Sequence, residues 1–66
     1  MTKQAFLTDL RIGLRGLSVT DIDERIGFYA EMIDDRIEDG LSEEAAVAAI
    51  GAPEEIAARI IAETPF

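Results

Sequence analysis

Apolar residues recur along this chain at intervals of three and four, and alternation with polar residues never lasts more than a few positions. That is the period of α-helices and not of strands. Gly and Pro interrupt the pattern and divide it into four helical stretches, at about residues 3–15, 19–38, 43–50 and 53–63. In the first, Phe6, Leu7, Leu10, Leu14 and Leu17 form one stripe, with Ile12 off it and half exposed. Thr2 is placed to accept from an orphan backbone N–H of the first turn. Gly13 and Gly16 weaken the other end, so the helix is expected to stop near Gly16.

The second stretch is the longest. Ser18 and Asp21, three residues apart, approximate a capping box. Ile22, Ile26, Tyr29, Ile33 and Ile37 form its main stripe, and Phe28 and Met32 form a shoulder beside it. The apolar face is therefore wider than one neighbouring helix needs. Gly27 in mid-helix is unfavourable by about 1 kcal/mol relative to Ala, and Gly40 supplies the left-handed stop. Ser42 caps the third stretch, whose Glu43 and Glu44 lie at the positive end of the helix dipole. Its Ala45, Ala46, Val47, Ala49 and Ile50 predict close packing against a bulkier helix. Gly51 ends it. Pro53 opens the fourth stretch at a position where its missing N–H is harmless, and Ile56, Ala57, Ile60 and Ile61 give that helix its apolar face. With linkers this short, consecutive helices should be neighbours, antiparallel or steeply crossed. The expected fold is all-α: a single compact four-helix domain with short connections.

Size makes such a domain marginal. A chain of 66 residues buries only about 60% of the surface it exposes when unfolded. With no Cys and no His, disulfides and the usual zinc or thiolate sites are excluded, which leaves regular helix packing, association, or both. Fourteen acidic residues against six basic ones give a formal net charge of −8. That field repels phosphate backbones and anionic headgroups, so nucleic acid and membrane surfaces are disfavoured as partners; it suits a basic protein patch and solubility alike. Met1-Thr2-Lys3-Gln4 leads straight into the amphipathic pattern with no signal-peptide core, and no stretch is apolar for long enough to span a bilayer. A cytoplasmic location is expected.

Catalysis needs a nucleophile, a base or a metal in a dry pocket, and only carboxylates, hydroxyls and Tyr29 remain as candidates. Glu31, Asp34 and Glu38 share a helical face beside Asp35, but calcium sites draw ligands from a flexible loop with a Gly at its sharp turn; a solvated polar face is the expected reading. Asp39-Gly40 with Ser42-Glu43-Glu44 has the wrong spacing for a calcium loop. Gly13 and Gly16 follow no strand and precede no Lys-Ser/Thr, so they cradle no phosphate. Arg11 and Arg15 are expected to pair within the domain. A helix-turn-helix drawn from the last two helices would carry Arg59 as its sole basic residue, which disfavours DNA. No catalytic residue, cofactor or metal is assigned. Tyr29 is read as a core residue with its hydroxyl at the rim. The Phe28 and Met32 shoulder is either covered by a later helix or part of a docking face, for which adaptable Met and Phe are suited. Those two residues are the expected contact face, with Ile12 as a secondary member.

The order of these residues resembles the HAAS signalling domains. The resemblance is carried by Met1 to Leu7 with Leu10 and Gly16-Leu17. It continues through Tyr29 to Ile33, Asp39-Gly40, Ser42-Glu43-Glu44 and Ala46, and through Ile50-Gly51-Ala52-Pro53-Glu54-Glu55-Ile56-Ala57 with its Gly-x-Pro turn. Ser18 stands where members often have Pro. Ala52 stands where they often have Asp, Asn or Ser, losing a side-chain cap that contributes about 1 kcal/mol. The resemblance implies a cytoplasmic helical domain placed ahead of transmembrane helices in bacterial membrane proteins, signalling through protein contacts, with a PadR-type regulator as the implied partner and no catalytic residues. Phe66, directly after Pro65, reads as a trimmed end or the start of a linker. The expected function is thus a non-catalytic cytoplasmic interaction module of a membrane-anchored signalling protein. The alternatives are a homodimerisation module of a larger chain, or a regulatory domain binding a cation or small ligand.

Overall fold

Three hydroxyls and a proline set where the helices begin. In the computed structural model, which describes residues 1–65, the elements are α1 (Lys3–Gly13), α2 (Val19–Glu38), α3 (Glu43–Ile50) and α4 (Pro53–Glu63). Phe66, the residue on which the expectation of a linker rests, lies outside the described residues. Thr2, Ser18 and Ser42 each sit in extended backbone and accept from the N–H three residues on, that of Ala5, Asp21 and Ala45, at 3.1, 3.1 and 3.2 Å. Pro53 opens α4, and Ala52 before it provides no side-chain cap.

α2, α3 and α4 occupy the expected spans; α1 stops at Gly13, two residues short of Arg15. The cause lies in the turn that follows. Leu14 leaves helical geometry, Leu17 donates its N–H to the Leu14 carbonyl at 3.1 Å, and Gly16 at φ +107° supplies the left-handed residue this turn requires. At the far end of α2, Gly40 also has φ +107°, with its N–H on the Ile37 carbonyl and that of Leu41 on the Arg36 carbonyl. This is a Schellman closure.

α1 is the hub, packing on each of the other three helices, while α3 also packs on α2. Among the described residues the backbones of α2 and α4 make no close approach. α1 and α2 run antiparallel, since Arg11 meets Asp23 at 3.0 Å and Lys3 meets Asp34 at 2.8 Å along one edge of their contact. The core is wholly apolar: Phe6, Leu10 and Leu14 of the first stripe and Ile33 of α2 are fully buried, joined by Ile22, Ala46, Val47, Ile56, Ala57 and Ile60. α3 packs on the bulkier α2, as expected, but only part of its small-residue face takes part. Only Ala46 and Val47 are buried, and Ala45, Ala48 and Ala49 face solvent, so most of these alanines act through helix propensity. A further close approach lies between Gly13 and Ala57, where α1 meets α4. α2, about 30 Å long at 1.5 Å per residue, accounts for most of the 39 Å long axis. It overruns the core, leaving Ile37 partly exposed.

Candidate interaction surface

At 100° per residue, Phe28 and Met32 fall one turn apart on the same flank of α2, beside the stripe that faces α1. Neither α3 nor α4 buries Phe28 on that flank. Phe28 is 58% exposed and Met32 is half-buried. Phe28 stands edge-on to Tyr29, with ring centroids 5.3 Å apart and an interplanar angle of 89°; Tyr29 in turn lies 6.4 Å from the buried ring of Phe6. A chain of three aromatic rings thus leads from the centre of the core to the surface. Edge-to-face pairs of this kind add about 0.5–1.5 kcal/mol beyond burial, which holds the Phe28 ring in place although most of it is in solvent.

Phe28 forms one wall of an open cleft. Its other residues are Asp21, Glu24 and Arg25, on the same flank of α2, Leu17 from the preceding turn, and Glu63, Thr64 and Pro65 at the end of α4. The cleft exists because α2 and α4 both pack on α1 while their backbones stay apart. Ile12, 53% exposed, lies elsewhere. It separates two shallow grooves, one with Leu7, Arg11 and Ile26 and one with Gly13, Ala57, Ala58 and Ile61. The fold therefore joins Phe28 to Met32 and sets Ile12 on another surface.

The charged residues of the cleft were missed in reading the sequence. Asp21 and Glu24 lie seven and four residues before Phe28, a helical spacing visible in the chain. Glu63 joins them only through the angle at which α4 docks. Of the acidic residues weighed as a cation face, Asp34 is engaged by Lys3 and Glu31 and Glu38 are exposed. Among the described residues no group of three or more His, Cys, Asp or Glu is arranged to hold a metal ion, no side-chain N or O atom is buried without a partner, and no helix is long and apolar enough to cross a membrane. Arg11 pairs with Asp23 across the α1–α2 contact, and Arg15 donates to the Ile12 carbonyl at 3.5 Å.

The family model described as HAAS matches residues 5–59. No curated protein and no solved structure matches the chain.

Proposed function

The chain belongs to the HAAS family, and on that premise we propose that it is a non-catalytic contact module on the cytoplasmic side of a membrane-anchored bacterial signalling protein, with a PadR-type regulator as its partner. The observation that carries the contact role is Phe28. A large aromatic side chain, oriented by Tyr29, stands 58% exposed on a flank of α2. Monomeric proteins expose single apolar residues freely, but an exposed aromatic beside a half-buried Met, at the edge of an open cleft, is the composition that contact surfaces favour. The net charge of −8 supports a protein partner over nucleic acid or anionic lipid.

The test is complex formation between this chain and a PadR-type regulator from the same source, followed by calorimetry. The expected result is a defined complex that the folded variant Phe28→Ser weakens by about tenfold or more, as loss of an aromatic anchor does. A complex that forms undiminished with Phe28→Ser removes this face from the account. Membrane anchoring is tested separately, by reading the coding sequence beyond Phe66: an apolar segment of about 20 residues supports it, and an immediate stop codon removes it.

Self-association is the second reading. It draws on Ile12, whose exposed side chain stands beside the shallow α1–α4 groove formed by Ala57, Ala58 and Ile61. It predicts a melting temperature that rises with protein concentration; a constant one excludes it.

A further inference from the structure

We propose that the cleft between the first half of α2 and the end of α4 receives a basic amphipathic segment of a partner protein, an inference that rests on the contact role argued above. The occupant's apolar side chain packs on Phe28, and its Lys or Arg residues meet Asp21, Glu24 and Glu63.

Shape, charge and helix polarity agree on this occupant. The cleft encloses about 420 Å³, near the low end of the 300–1,000 Å³ typical of ligand pockets. It is open along the side between the two helices, so it suits side chains presented on a partner's surface better than an enclosed small molecule. Three carboxylates, those of Asp21, Glu24 and Glu63, line it against one cation, Arg25. The end of α4 adds to that field: its last turn has no basic residue, so the negative end of its dipole faces the cleft without a cation from its own helix. A second copy of this chain would bring −8 against −8 and is repelled from this surface. A segment pairing an apolar residue with basic neighbours satisfies both the exposed ring and the carboxylates.

The test is titration of the isotopically labelled protein with three short helical peptides of one apolar pattern, whose polar positions are all Lys, all Gln or all Glu. Amide shifts locate binding, and the fluorescence of Tyr29, the single Tyr in a chain without Trp, reports it through its contact with Phe28. The Lys peptide is expected to shift the amides of Asp21 to Phe28 and of Glu63 and Thr64. It should bind roughly tenfold more tightly than the Gln peptide, as a few partly exposed ion pairs allow, and the Glu peptide should not bind. Phe28→Ser and, separately, Glu63→Gln should each weaken the Lys peptide; Glu63 is exposed, so its variant keeps the fold. Equal binding of the Lys and Gln peptides at the cleft overturns the basic occupant while leaving the contact role standing. Shifts spread over the whole acidic surface and unaffected by Phe28→Ser, or no binding by any peptide, overturn the cleft as the site.

Discussion

Gly13 of α1 lies so close to α4 that a Cβ built on it would stand 2.6 Å from the Cβ of Ala57. A methyl group at Ala57 is fixed to its helix and has no rotamer with which to retreat. The two backbones can therefore approach this closely only while position 13 carries hydrogen. Replacing Gly by Ala in a helix normally gains about 1 kcal/mol, but overpacking of this kind costs about 1–3 kcal/mol. Gly13→Ala is expected to be net destabilising, lowering the melting temperature by several degrees at about 4–8 °C per kcal/mol for a domain of this size. Adding Ala57→Gly should recover much of the loss. A double-mutant cycle with no coupling between the two sites contradicts the contact.

The same substitution has the opposite sign at Gly27. That residue sits in mid-α2, exposed, with ordinary helical φ and, apart from its chain neighbours and the backbone of its own helix, no atom within 4 Å of the position a Cβ would take. Gly27→Ala should stabilise the domain by about 1 kcal/mol, read as a higher midpoint in urea with an unchanged slope.

Ala52 holds the N-cap position of α4 in extended geometry, φ −79° and ψ 129°, without a side chain able to accept from the first turn. Ala52→Ser places a hydroxyl there that accepts from the amide of Glu55, as Ser18 and Ser42 do in their own helices. A gain of about 1 kcal/mol is expected from thermal melts, and an unchanged melting temperature would mean that water already satisfies those amides as well.

Salt should raise the stability of this domain. Its ion pairs among the described residues are Lys3–Asp34 at 2.8 Å, Arg11–Asp23 at 3.0 Å and the amino terminus with Glu44 at 3.8 Å, all partly exposed, and such pairs contribute about 0–1 kcal/mol each. Self-repulsion at a net charge of −8 opposes the compact state. Salt weakens both effects, and with a net charge of −8 against three weak pairs the relief of repulsion is expected to dominate. Melting in about 0.5 M sodium chloride, where screening acts within a few ångströms, should occur at a higher temperature than in dilute buffer. A fall would show that the ion pairs dominate.

Local signals along the chain were sufficient wherever the structure is decided locally. Ser18, Gly40, Ser42, Gly51 and Pro53 mark the ends of α2, α3 and α4, because caps and left-handed stops depend on residues within one turn. The family is legible too, in the order of that punctuation, and Phe28 stands out because the apolar arc of α2 is wider than one neighbour requires. What is not local was not legible. Gly13 reads as a helix weakener in the sequence and proves to be a contact with Ala57, 44 positions further on. The separation of α2 from α4, which brings Glu63 near Phe28, follows from how both helices dock on α1, and no local period records that angle. Ala45 and Ala49 show the reverse error: small residues that look like a packing face and lie in solvent.

If Phe28 serves contact and not the fold, the thermal melt of Phe28→Ser should differ sharply from that of Leu10→Ala. Leu10 is fully buried, and its truncation should cost about 2–5 kcal/mol, enough to unfold much of so small a domain. Phe28→Ser, at a position 58% exposed, should lose an edge-to-face contact with Tyr29 and the burial of the minor part of the side chain, about 1–2 kcal/mol, and melt well above Leu10→Ala. If Phe28→Ser instead unfolds the domain as Leu10→Ala does, Phe28 belongs to the core and the proposed contact surface is withdrawn.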